Sequence, residues 1–213
     1  MMASRKYEAT GPEAETQPGS RGRVLRNLRG IARVREMDVA EARALQTTMD
    51  RFVRQFDEQH RFTAADIRNM HRTWLGDIYE WAGEYRSVNM SKDGFPFATA
   101  ALIPDLMQKL QKRVLARVTP CRFAGREDVA GALAEAHVEL VLIHPFRDGN
   151  GRVARALSSL MALQAGLPLF DFNPIAGRRK AEYFAAIQAG MDRNYRPMTK
   201  IFEELIERSV AGT

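Results

Sequence analysis

Cysteine is nearly missing from this chain: Cys121 is the single one in 213 residues. That excludes an internal disulfide framework and a zinc cage built on thiolates. No apolar run reaches bilayer-spanning length, and no apolar signal segment stands near the start. The expectation is a soluble, cytoplasmic protein with no membrane partner. Aromatic residues make up only 8%, and they do not interleave with basic residues as a platform for stacking bases would require. The formal charge of +6 favours anionic partners in general, yet nucleic acid is not the partner expected. A non-catalytic basic binding protein stays as an alternative, and steep salt dependence of DNA binding would support it.

What is present suffices for a core. With 45% hydrophobic and 27% charged residues, the length suits one globular domain with an added arm. Residues 1 to about 22, "MMASRKYEATGPEAETQPGSRG", are polar and rich in Gly, Pro and Ser, and read as an arm or strap. In "RGRVLRNLRGI", the spacing of Val24, Leu25, Leu28 and Ile31 predicts packing on the body. Apolar residues at three- and four-residue steps predict a helix over Asp38 to Phe56. Thr63 and Asp66 form a capping-box pattern opening a second helix, expected to run to Gly83. Between Val88 and Phe97 two short alternating runs flank Asp93-Gly94, which signals a hairpin. A hairpin alone is marginal, so something must hold or use it. Helical patterning returns over "IPDLMQKLQKRVLARV" and again from Glu127 to Ile143, where Val129, Leu133, Ala136, Leu140 and Ile143 share one face. Further helices are expected from near Gly151 to Gly166, at "RKAEYFAAIQAGMD" and at "MTKIFEELIERS". The fold class is all-α, a helical bundle with one β-hairpin.

The chemistry concentrates in "IHPFRDGNGRVAR". Pro145 turns His144 away from helical geometry and leaves the imidazole on a loop at the rim of the core, where a general base is useful. Gly149-Asn150-Gly151 lets the backbone turn tightly and aim amides at one spot, and the next helix points its positive end there. Arg152 and Arg155 lie one turn apart, so both guanidinium groups reach that spot. Asp148 adds the single carboxylate that typically joins phosphate oxygens in holding Mg²⁺. Singly, each of these features is an ordinary turn, a packed histidine or a solvated arginine. Together at one helix start they describe a nucleoside triphosphate site with a base beside it.

"HPFRDGNGRVAR" matches every fixed position of the motif of the Fic family, His-Pro-Phe-x-(Asp/Glu)-Gly-Asn-Gly-Arg-x-x-Arg. Upstream, "MHRTWLGDIYEWAGEYRSVNMSKDG" is similar to the family's helix and hairpin flap, and Tyr183 onward resembles its closing helices. The resemblance divides the chain into an arm and strap at 1–37, an N-terminal helix at 38–62, the Fic domain at 63–206 and a tail at 207–213. It implies a protein adenylyltransferase that moves AMP from ATP to a Tyr, Ser or Thr hydroxyl of a target protein. It makes His144 the base and Asp148 the Mg²⁺ ligand. Asn150 and the amides near Gly149 and Gly151 would cradle the α- and β-phosphates, with Phe146 and Arg147 counted in the nucleotide site. Arg152 and Arg155 would bind the β- and γ-phosphates. The flap residues Ser91, Lys92, Asp93 and Gly94 would clamp a target strand by edge pairing. Bacterial topoisomerase subunits are candidate targets by family analogy. A kinase-like relative of the Doc type, transferring the γ-phosphate, is the rival; the intact Gly151 argues against it.

The family's inhibitory helix carries Ser/Thr-x-x-x-Glu-Gly/Asn. The nearest string here runs from Thr199 to Glu204, departs at its last residue and reads as a core helix, so Glu203 is taken as structural. The expectation is a toxin of a toxin–antitoxin pair, whose small partner supplies an inhibitory glutamate to Arg155. His71 and His137 read as packed histidines, and Cys121 has no catalytic role.

Overall fold

A computed structural model describes residues 8–9, 15–177 and 179–211. Most of the sequence reading of the arm from 1 to 22 therefore lies outside the described residues. The helices are α1 (Val34–Gln55), α2 (Ala64–Leu75), α3 (Ile103–Leu110), α4 (Ala116–Val118), α5 (Arg126–Ile143), α6 (Asn150–Gln164), α7 (Asn173–Ala176), α8 (Lys180–Ala189) and α9 (Arg196–Ala211). A π-helical turn, Gln111–Leu115, joins α3 to α4.

Helix α5 is the axis, with α3, α6, α8 and α9 packed around it. The sequence pattern predicts one buried face, but Ala130, Ala132, Ala134, Val138 and Val141 are buried as well. Small alanines let the neighbouring helices approach closely, so beyond the first turn only a narrow, partly exposed stripe at Gly131, Glu135, Glu139 and Leu142 remains of the polar face an amphipathic helix would show. His137, on α5, lies between the Ser158 hydroxyl at 3.1 Å and the Tyr183 hydroxyl at 2.7 Å. Burial pushes its pKa down to about 3. It is the packed, satisfied histidine the sequence suggests.

Helix α1 faces the body with Met37, Glu41, Thr48 and Phe52. Its start at Val34 is four residues earlier than the pattern predicts. In α2 the capping box forms as read: Thr63 Oγ1 accepts from the Asp66 amide, and Asp66 Oδ2 accepts from the Thr63 amide. The helix ends at Leu75, however, and not at Gly83. Leu75, Ile78, Tyr79 and Ala82 are all buried, and this spacing imitates helix while the chain runs through consecutive turns. Gly83 has φ 80°, and a Cβ there would stand 2.6 Å from Arg72.

The hairpin is β2 (Met90–Lys92) and β3 (Phe95–Pro96), with Ser91 opposite Pro96 and Lys92 opposite Phe95. Asp93 and Gly94 both have positive φ, the type I′ turn that suits the strand twist. The hairpin is not isolated. Strand β1 (Glu8–Ala9) pairs antiparallel with β2, setting Glu8 opposite Ser91 and Ala9 opposite Met90. In the strap, Val24 and Ile31 are buried and Leu25 is partly so, while Leu28 stays 61% exposed. At the other end α9 continues to Ala211, so most of the expected tail is helix. Among the described residues no helix is long and apolar enough to cross a membrane.

Candidate active site

The loop between α5 and α6 lies in the wall of a cavity of about 720 Å³. His144 caps α5 in the left-handed region, with φ 51° and ψ 59°. This is an uncommon place for a side chain with a Cβ, and the surroundings over-determine it. Buried Arg86, at the base of the flap, donates from Nε to the His144 carbonyl at 2.7 Å. It also donates to the carbonyls of Val88 and Ala98, both at 2.5 Å, and its amide donates to Pro145 at 2.8 Å. Phe97 of the flap stacks on the imidazole, centroids 3.6 Å apart. The His144 Nδ1–H donates to the Val141 carbonyl at 3.1 Å. A carbonyl only accepts, so Nδ1 carries a proton, and in the neutral ring Nε2 then carries the lone pair that a base needs.

Behind the loop, Asn150 and Phe146 hold its shape. Asn150 Oδ1 accepts from the Phe146 amide at 2.8 Å, and its Nδ2 donates to the Phe146 carbonyl at 2.7 Å. Phe146 is fully buried and stacked on His71 at 3.9 Å. His71 in turn donates from Nε2 to the Asp148 carbonyl at 3.0 Å and accepts at Nδ1 from the Gly83 amide at 2.8 Å. Burial pushes the His71 pKa down to about 4. Gly149, at φ 82°, begins α6, and its missing Cβ leaves room for Trp74, which would otherwise stand at 2.7 Å.

His144, Arg147, Asp148, Gly149, Gly151, Arg152 and Arg155 line the cavity, joined by Lys92 and Asp93 from the flap. Phe146, Asn150, Ser91 and Gly94 are not among the lining residues. Gly151 opens on space with nothing within 4 Å of where a Cβ would be, which lets an anion approach the start of α6. The Gly149 amide, by contrast, donates to Asp148 Oδ1 at 2.6 Å. For a divalent cation the fit rests on the Asp148 carboxylate, a hard oxygen donor in the cavity wall. The described residues hold no cluster of three or more His, Cys, Asp or Glu that would bind a metal unaided.

Three contributors escaped the sequence reading: Glu41, Trp74 and Arg86. Glu41 of α1 is buried and ion-paired to Arg152. The Arg152 guanidinium lies over the Trp74 ring at 4.5 Å, with Asp148 Oδ1 3.8 Å from its Nη2. Burial works against the Arg152 charge, but Asp148 and Glu41 outweigh it and hold the pKa above its ordinary value. Glu41 and Trp74 lie far from Arg152 in sequence, and Arg86 far from His144, so no local pattern announces them.

A sequence profile of the Fic/DOC family matches residues 61–162. The protein adenylyltransferase VbhT of Bartonella schoenbuchensis is 31% identical over 76% of this chain, which spans 33% of VbhT. The chain thus covers about a third of that relative's length. The probable protein adenylyltransferase y4lH of Sinorhizobium fredii is 30% identical over 68% of this chain and 74% of its own length. The solved N-terminal Fic domain of a Bartonella quintana cell filamentation protein, with bound ADP, superposes with a TM-score of 0.70. It is 29% identical and covers 85% of this chain, with 89% of the solved domain matched. With the family profile matched over residues 61–162 and y4lH 30% identical over 74% of its own length, the chain belongs to the Fic/DOC family.

Proposed function

We propose that the chain is a protein adenylyltransferase, transferring AMP from ATP to a Tyr, Ser or Thr hydroxyl of a target protein. One observation carries the reading: an imidazole with its proton held on Nδ1 by Val141 stands in a cavity that also contains Arg152 and Arg155. In this reading the target hydroxyl gives its proton to His144 Nε2 while its oxygen bonds to the α-phosphorus. The bond from that phosphorus to the bridging oxygen breaks, and pyrophosphate leaves with the electron pair. Arg152 and Arg155 bear the charge that develops on the leaving group, so the rate comes from positioning and electrostatics. Mg²⁺, held by Asp148 and phosphate oxygens, would neutralise charge on the bound triphosphate. Names of relatives such as VbhT and y4lH support adenylyl transfer as the activity.

The reading extends to the chain as the toxin of a pair in the cytoplasm, with topoisomerase subunits as candidate targets. A small partner would then bring a carboxylate to Arg155, which lines the cavity, whereas Glu203 does not. The decisive experiment incubates the chain with ATP, Mg²⁺ and a bacterial lysate, with label on either the α- or the γ-phosphate. The α-label should appear on protein and the γ-label should not. His144→Ala should abolish transfer while nucleotide binding persists, since the imidazole acts on the hydroxyl proton. Protein carrying γ-label alone would replace this reading with phosphoryl transfer.

A further inference from the structure

Arg152 would be a floppy cation if it stood alone on the first turn of α6. Its guanidinium has five donors in a rigid fork, and grip on a phosphate depends on where that fork is aimed. Two surfaces set its aim. The Trp74 ring, 4.5 Å below, fixes the plane. Glu41 Oε2, accepting from Nη1, fixes the rotation within that plane. The remaining donors, among them Nη2 with Asp148 Oδ1 3.8 Å away, face the cavity that both Glu41 and Arg152 line.

Glu41 is itself held. Its other oxygen accepts from the Tyr79 hydroxyl at 2.6 Å, and its backbone carbonyl accepts from Trp74 Nε1 at 2.9 Å. Trp74 is therefore both the floor beneath the guanidinium and the tether that brings α1 to it. A buried carboxylate–guanidinium pair is weak support for stability, since apolar residues of similar volume often serve as well or better. A pair kept at a cavity wall, with one member in the phosphate-binding motif, has another use.

We propose that Glu41 is a positioning residue for the nucleotide: together with Tyr79 it pre-orients Arg152 so that the guanidinium meets the outer phosphates without reorganising. This rests on the adenylyl-transfer reading for the identity of the ligand, but not for the geometry. Pre-orientation acts on ligands that reach Arg152 and leaves shorter ones untouched.

The test compares ATP and AMP binding to the full chain, with Mg²⁺, in wild type, Glu41→Gln, Tyr79→Phe and Arg152→Ala. Glu41→Gln should weaken ATP about tenfold, the scale of one charge-assisted hydrogen bond, and leave AMP unchanged. Tyr79→Phe, the milder change, should weaken ATP about threefold in the same pattern, a fraction of that one bond. In the Arg152→Ala background, Glu41→Gln should add nothing, because its route to the phosphates is gone. Equal losses for ATP and AMP would make Glu41 merely structural and overturn the proposal. Tighter ATP binding by Glu41→Gln would overturn it the other way, making the pair a restraint. A wild-type chain that bound no ATP would sink the adenylyl-transfer reading itself, a separate outcome from Glu41→Gln binding ATP as wild type does.

Discussion

His71 makes the stability of the motif loop depend on pH, and the size of the effect can be worked out. In the folded chain its Nδ1 must accept from the Gly83 amide while Nε2 donates to the Asp148 carbonyl. A second proton would go on Nδ1 and set donor against donor, in a buried site stacked on Phe146. Burial accordingly lowers the pKa from 6.5 to about 4. Below pH 6.5 the unfolded chain takes up a proton that the folded chain refuses. The stability contributed by His71 is complete above pH 6.5 and is lost as pH falls toward 4. At about 1.4 kcal/mol per pH unit, the loss is about 2 kcal/mol by pH 5 and about 3 kcal/mol in full. The assay is urea denaturation at pH 7 and pH 5, comparing wild type with His71→Gln. The variant should be weaker at pH 7, by about 1–3 kcal/mol for a buried partner left unsatisfied. It should also lose about 2 kcal/mol less than wild type between the two pH values. His137, present in both chains, cancels. Equal losses would show that His71 is not kept neutral by its two hydrogen bonds.

Gly149→Ala should damage both fold and site. The left-handed φ costs about 1–2 kcal/mol for a residue with a Cβ, and forcing the Trp74 ring aside adds about 1–3 kcal/mol; a melting temperature unchanged within a degree would contradict this. Glu203→Gly should leave the rate of α-label transfer unchanged, since Glu203 does not line the cavity. A several-fold gain would mean that inhibition is built into α9.

The motif loop was legible because its residue types do their work within a dozen positions. The capping box of α2 and the Asp-Gly turn of the flap were legible for the same reason: Thr63 and Asp66, or Asp93 and Gly94, act on near neighbours. The end of α2 was not, because Ile78, Tyr79 and Ala82, buried in a run of turns, continue the helical spacing from Leu75. Glu41 was hidden for a different reason. On an amphipathic helix a glutamate ordinarily faces water, and its partner Arg152 is 111 residues away. Arg86 likewise looks like one more surface cation until the chain folds and four carbonyls converge on it. The burial of α5 beyond its predicted face depends on which helices surround it, which its own sequence does not specify.

The contact between Glu41 and Arg152 also couples the order of synthesis to the appearance of a working site. Helix α1 leaves a ribosome before α6 does, and until α6 follows the Glu41 carboxylate has no Arg152 to hold. A chain in which α1 has come away from α6 therefore contains every residue of the motif but has no aimed guanidinium. Once the halves meet, a ligand gripping Arg152 bridges them as a removable staple: at a hundred times its Kd it would add about 2.7 kcal/mol to global stability. Protease resistance near α1 should then report on an event at α6, because the two helices share one hydrogen bond.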